Sequence, residues 1–533
     1  MKRCPECRRD YYDDTLLYCL DDGNALLEGP ASADEPATAI FEQPATGVRS
    51  GEARTEILQG EAVTKFLTSN SIAVLPFVNI SSDADNEYFC DGLAEELLNA
   101  LSKIADLKVA ARTSAFSFKG KNVDIREIAS ALGVRTILEG SVRKEAEHVR
   151  ISVQLINAQD GYQIWTESYD REMKSIFDVQ DEITLAIIDA LRLKFFHGEK
   201  DALLKRHTDN TEAYDYYLKG RYQYQKYTPE GWLAAIDLFE HAIGLEPRYA
   251  SAYANLASVL AYCWYFDVLP PAETAVNWLT ATERALELDD NLDEAHASLA
   301  RYRFYYSRDW AAAESSFLNA LELNKKNAEI QHQYGMLLAV MGRIDEALEH
   351  VIMASELDPL SPMNSLQAGW VYLFSGRLDD VERIASNLIE IEPDFFGAHW
   401  QLGIVHWAKG QLTESLECFQ NAIALAPSPT VLSHIGAIYA DLGELEKASE
   451  TVDQLIEKRE QQPVAAYNIV RVYSRMGDHA KACDWLETSL EENDGELVFL
   501  NVEIKPNEPG TFGMAIRENA RFQDILRRVG LPE

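Results

Sequence analysis

Gly335, Gly369 and Gly403 stand 34 residues apart, and so do the glycines Gly342, Gly376 and Gly410 and the prolines Pro359, Pro393 and Pro427. Three kinds of marker in one register across residues 333–427 define a repeat, and a repeat of this length is the signature of stacked helical hairpins. One hairpin cannot bury its apolar face alone, so the copies must pile into a solenoid. That single feature rules out one globular core for the C-terminal half of the chain.

Each copy has the same internal logic. Helix A runs to the turn glycine, and helix B runs from there to the proline. Gly403 in helix A must face a small residue in helix B, here Ser415, with Ala347 and Ala448 in the sister copies. Leu402, Phe419 and Leu425 then fill the groove to the next copy. Gly410 ends helix A in a conformation that a side chain disfavours, and Pro427 cannot continue helix B. The helix-B position recurs as Ala235, Ala313, Ala347, Val381, Ser415, Ala448 and Ala482. It divides 211–496 into eight copies: 211–247, 248–290, 291–326, 327–360, 361–394, 395–428, 429–462 and 463–496. An insertion at 265–274, with a Pro pair, stretches the second. Gly403, Ser415, Phe419, Ala422 and Pro427 together carry the spacing of the tetratricopeptide repeat (TPR) family, which the array resembles. The resemblance implies a superhelix whose concave face, lined by the A helices, holds an extended or helical segment of a protein partner. Asn255, Gln333, Gln367, Gln401 and His406 are expected to line that face. Self-association is the rival use of the same surface. In 497–533, Phe522, Ile525, Leu526 and Val529 share one helix face, which predicts a capping helix over the end of the solenoid.

The other end of the chain has different chemistry. Cys4 and Cys7 form a C-x2-C knuckle and Cys19 follows, with Asp22 and Gly23 where a fourth cysteine of a zinc ribbon would stand. Zinc accepts carboxylate oxygen, so three thiolates with Asp22, or with its neighbour Asp21, complete a tetrahedron. A module as short as 1–29 cannot build its own core, so a structural zinc ion would supply most of its folding energy. The segment resembles the degenerate zinc-ribbon heads of bacterial signalling proteins. Residues 30–70 are rich in Pro, Ala, Gly, Thr and Glu without periodicity and read as a disordered, extended linker.

Residues 71–195 alternate strand and helix patterns. Short strands are expected at 71–79, 107–111 and 135–144. Val149, Ile151, Val153 and Leu155 alternate with polar residues, as in a half-buried strand, and Asp160-Gly161 turns the chain into another at 163–169. Helices are expected after Asp91, at 124–132 and at 178–194. Glu95 and Glu96 are read as carboxylates at the positive end of the first helix. The result is a small α/β domain with a mixed sheet. The stretches AVLPF at 73–77, FCDGLAEEL at 89–97, ILEGSV at 137–142 and QIWTESYD at 163–170 resemble the TolB-amino-terminal-like (FlgO-like) domain of bacteria. That family's role is mostly assembly and interaction. The turn after Phe77 carries no glycine cradle for phosphates.

The formal charge of −37 repels nucleic acid and anionic membranes. Seven cysteines, with Cys90, Cys263, Cys418 and Cys483 inside apolar patterns, do not form a disulfide framework. No stretch is long and apolar enough for a membrane span, and the N-terminus lacks the apolar region of a signal peptide. The expected address is the cytoplasm. The chain therefore reads as a multidomain α/β plus all-α protein, a TPR α-solenoid behind an α/β domain. Its expected role is non-enzymatic: a scaffold in a bacterial signalling or regulatory assembly. The alternative is a ligand-sensing or enzyme-linked component with a small-molecule site in 71–195, which perturbed carboxylates in a defined pocket there would favour.

Overall fold

The computed structural model describes residues 2–3, 10–11, 27–28, 70–104, 107–145, 148–191, 193, 208–500, 516 and 518–531. They belong to two units, Met1–Ala62 and Val63–Glu533. In the first unit the strands Lys2–Arg3 (β1), Asp10–Tyr11 (β2) and Leu27–Glu28 (β3) pair antiparallel in the order β2-β1-β3. Cys4, Cys7, Cys19, Asp21 and Asp22 lie outside the described residues, as does the expected linker up to residue 69.

The second unit opens with Ser71–Val74 (β4), every residue of which is buried. Its side chains alternate between two layers. Ile72 and Val74 pack with Phe89, Leu93 and Leu97 of the helix Glu87–Ser102 (α1), whereas Ala73 and Leu75 pack with Ile128 and Leu132 across the sheet. Pro76 has no N–H to give a ladder, and pairing resumes at Val78–Asn79 (β5). The strand Lys108–Val109 (β6), the helices Arg112–Phe116 (α2) and Ile125–Leu132 (α3), and the strands Thr136–Glu145 (β7), His148–Asn157 (β8) and Gln163–Glu172 (β9) follow, then the helix Ile176–Ala190 (α4). The sheet order is β6-β4-β7-β8-β9, with β5 also on β7. The pairs of β4 are parallel, and β7-β8-β9 is an antiparallel meander. The sheet is thus mixed, as the alternation of patterns predicts.

Asp91 does not cap α1. That helix begins at Glu87, after a 3-10 turn whose cap is Asp83, and buried Asp91 instead receives Lys119 at 2.6 Å.

The array consists of eight helix pairs: Thr211–Tyr224 with Pro229–Leu245, Ala250–Tyr265 with Pro271–Leu288, Asp293–Arg301 with Trp310–Leu323, Ala328–Val340 with Ile344–Leu357, Pro362–Phe374 with Leu378–Ile391, Phe396–Ala408 with Leu412–Leu425, Pro429–Asp441 with Leu445–Gln461, and Tyr467–Met476 with His479–Glu491. Gly342, Gly376, Gly410, Gly443 and Gly477 turn the last five at φ of +76° to +79°. The first three hairpins turn on Tyr227, Asp267 and Arg308, non-glycine residues at positive φ. In the third, a π-helical turn, Tyr302–Tyr306, precedes that residue. Ser415 Oγ donates to the Gly403 carbonyl at 2.7 Å, and a Cβ on Gly403 would lie 2.7 Å from the Phe419 ring.

The array curls until its far end meets its second and third hairpins. Asp267 accepts a hydrogen bond from the Ala465 backbone N–H at 3.0 Å, and Arg308 donates to Asn493 at 2.8 Å. Gly495 lies against the Trp264 ring, and Phe499 meets Tyr305 and Phe374. The helix Ala520–Val529 buries Phe522, Ile525 and Val529 in a core shared with the third, fourth, fifth and eighth hairpins.

The α/β domain docks on the array through an apolar core shared with the first hairpin and through charge. Glu95, inside α1, receives Arg221 at 2.5 Å and Arg112 at 3.3 Å, and Glu96 receives Arg221 at 2.8 Å. These carboxylates therefore clamp the first hairpin; they do not serve a helix terminus. A second contact joins Ser114 of α2 to buried Asp358, and Lys326 donates to the carbonyls of Ile104 and Leu107.

Candidate recognition cavity

The A helices project one register inward. His332, Leu366, Trp400 and His434 recur every 34 residues, and Met336, Trp370 and Ile404 follow one turn later on the same faces. All of them line a cavity of about 930 Å³ whose wall draws on all eight hairpins and on the segment after the last. The first two hairpins add Trp232, Tyr262, Trp264 and Phe266. The rings pack on one another at separations suited to edge and offset contacts: Trp370 to Trp400 at 4.9 Å and Trp232 to Phe266 at 5.4 Å.

Two arginines stand in this wall, each held in place. Arg301 donates to Ser258 at 3.1 Å and faces Glu329 at 3.4 Å. Arg471 donates to Ser433, Asn468 and Glu496 at 2.6, 3.1 and 2.9 Å. Burial pushes His434 well below the usual histidine range, and Arg471 adds to the effect, so the ring is neutral. Its Nδ1–H donates to the Thr430 carbonyl at 2.7 Å, among the rings of Trp400, Trp407 and Phe419. Where the array closes, burial pushes the Asp267 carboxyl up to about 6 and that of Asp494 up to about 7.

Of the residues expected on the concave face, Gln333 and Gln367 line the cavity. Gln401 does not. It is fully buried, donates to the Leu366 carbonyl at 3.0 Å and fills the space left by Gly369, where a Cβ would collide with its amide. Asn255 lies outside the lining and donates to the Ser251 carbonyl at 3.0 Å. His406 also lies outside, bonded to Gln411 at 2.6 Å. Sequence reasoning missed Trp400 and His434, although the same 34-residue step marks them. It also missed Asp267 and Asp494, which no period marks.

A second cavity, about 880 Å³, opens in the α/β domain between Phe118–Val123 and the polar sheet face of Glu139, Ser141, Ser152, Gln154 and Thr166. It lies at the carboxyl end of β4, where the strand order branches to β6 on one side and β7 on the other. Crevices at such branch points are where α/β sheets place ligands. Lys119 in its wall is engaged by Asp91 and Glu87.

Among the described residues no helix is long and apolar enough to cross a membrane.

Comparison with known proteins places names on these parts. A family model described as HilA/YgeH-like transcriptional regulator, second domain, matches residues 68–186, the segment expected to resemble TolB-amino-terminal-like domains. Tetratricopeptide repeat models match 396–429 and 464–494, on the sixth and eighth hairpins. The chain is 37% identical over 232 residues to "Putative adenylate cyclase 3" of Rhizobium meliloti, covering 43% of this chain and 39% of the relative. It is 20% identical over 323 residues to "Transcriptional regulator HilA" of Salmonella typhimurium, covering 60% of this chain and 57% of the relative. It thus spans less than two thirds of either. Among solved structures, a tetratricopeptide repeat protein from Parabacteroides merdae is 15% identical with a TM-score of 0.37, over 50% of this chain and all of that one. Yeast Tom70 is also 15% identical with a TM-score of 0.37, over 62% and 78%.

Proposed function

We propose that this chain is a non-enzymatic recognition subunit of a bacterial signalling or regulatory assembly, and that it holds a segment of a protein partner inside its TPR array. The observation that carries this reading is the cavity itself. Its wall repeats one inward register across successive hairpins, so it presents aromatic and apolar side chains with polar and charged groups set among them, the composition of a binding site. A relative named as a transcriptional regulator and another named as a cyclase agree with a regulatory setting. The test is affinity capture with the full chain, followed by cross-linking to locate the captured segment. Trp400→Ala and Gln367→Arg should each lose the partners that wild type captures, and cross-links should fall on the A helices. Capture unchanged in both variants, with cross-links confined to the α/β domain, would refute the reading.

A second reading is favoured by the cavity at the branch point of the sheet, which has the site and size for a small ligand. It predicts that Thr166→Trp, which fills that cavity, abolishes a ligand-dependent thermal shift that Trp400→Ala leaves intact.

At the N-terminus, the proposal is that Cys4, Cys7, Cys19 and Asp22 hold a structural zinc ion. It rests on their spacing and on the resemblance to zinc-ribbon heads.

A further inference from the structure

The charges around the central cavity do not balance. Asp267, Asp394, Glu492, Asp494 and Glu496 line it against only Arg301 and Arg471. Arg301 is engaged with Ser258 and Glu329, and Arg471 with Glu496. Two cations stand near the seam without forming an ion pair to either carboxyl: Arg308 donates to Asn493 and feels the charge of Asp494, and Arg459 donates to Glu492 and the Val464 carbonyl. Asp267 and Asp494 are held by backbone N–H groups, those of Ala465 and Tyr467, each at 3.0 Å. Among the described residues neither forms an ion pair. Two half-buried carboxyls in mutual range, neither in an ion pair among the described residues, form a site that a cation would stabilise.

The surroundings suit the rest of such a ligand. Trp264 stands against Gly495, and Tyr305 and Phe499 are close by. Aromatic faces of this kind hold both an aliphatic stem and a charged head. The excess of carboxylates, in a chain of charge −37, excludes polyanions.

Resting on the reading of the cavity as a peptide site, we infer that the bound segment carries a basic anchor: a lysine or arginine side chain seated between Asp267 and Asp494 at the seam, with apolar neighbours along the aromatic wall. The cavity is therefore selective for sign as well as for apolarity.

The experiment selects a randomised peptide display library on the full chain and then titrates one enriched synthetic peptide by tryptophan fluorescence and calorimetry. Enriched peptides should carry lysine or arginine beside apolar residues. Replacing that basic residue by norleucine should weaken binding about tenfold, and by glutamate further. With the double variant Asp267→Asn and Asp494→Asn the lysine and norleucine peptides should bind alike. Binding to wild type near pH 6 should release protons, read as a dependence of the heat on the buffer's ionisation enthalpy. The norleucine comparison needs no protein variant, so misfolding of the double variant cannot mask the answer. Enriched peptides that lack basic residues and bind both proteins equally would overturn the anchor and leave the cavity as a peptide site. Enrichment of no peptide, or of peptides that Trp400→Ala binds as well as wild type does, would overturn both.

Discussion

Replacing Gly403 by leucine tests whether the hairpin contact sets the stability of the array. The glycine has no room to spare. Its ideal Cβ would sit 2.7 Å from two atoms of the Phe419 ring and 3.1 Å from a third. Phe419 is fully buried, so the ring has nowhere to move. The backbone cannot withdraw either, because Ser415 holds the Gly403 carbonyl at 2.7 Å. Overpacking of this kind costs about 1–3 kcal/mol. At about 2–4 °C per kcal/mol for a domain of this order of size, far-UV circular dichroism should show melting lowered by about 2–12 °C. Phe419→Leu provides the cross-check. By itself it destabilises, by opening a cavity, but combined with Gly403→Ala it should give back more than the sum of the single effects predicts. Wild-type melting of Gly403→Leu, or strict additivity in the double variant, would refute the argument that this contact sets the approach of the two helices.

Glu95→Ala leaves Arg221 and Arg112 beside a vacated, buried position; breaking a buried pair from one side costs about 3–5 kcal/mol, read by urea denaturation, and Glu95→Gln should cost less. Asp267 and Asp494 have folded values above the ordinary carboxylate range, about 6 and about 7. Their contribution to stability is therefore fully present below about pH 4 and is lost as pH rises through 6 and 7. Melting should fall across that window in wild type and flatten in Asp267→Asn with Asp494→Asn. Protein purified reduced and free of chelator should carry about one zinc per chain, lost on Cys4→Ser with Cys7→Ser; metal analysis that finds none would end the zinc proposal.

The periodic part of the molecule could be read from its sequence because every hairpin solves the same packing problem. The turn glycines of the last five hairpins are conspicuous because positive φ favours glycine. The first three hairpins hide the same turn, since Tyr227, Asp267 and Arg308 adopt positive φ without advertising it; only helix-B residues such as Ala235 and Ala313 betray them. Of the five residues expected on the concave face, two line the cavity and Asn255, Gln401 and His406 do not. Gln333 and Gln367 face the cavity, but at the next copy Trp400 takes the lining, and Gln401 turns into the gap that Gly369 leaves. One residue rotates a helix face by about 100°, enough to exchange groove for core. The non-periodic contacts could not be read at all. Arg221 and Glu95 are 126 residues apart, and Asp267 and Ala465 are 198 apart. No local pattern records such pairings, so two carboxylates that join domains looked like ornaments of a helix terminus.

The closing of the array also constrains its history. An open solenoid tolerates the gain or loss of a unit, since each copy answers only to its neighbours. Here the eighth hairpin must arrive beside the second and third, with Ala465 opposite Asp267 and Asn493 opposite Arg308. Duplicating or deleting one 34-residue unit would carry the far end past its landing place, like a bracelet with a link too many. Descendants of this chain are free to change their rings and charges but are bound to their repeat number.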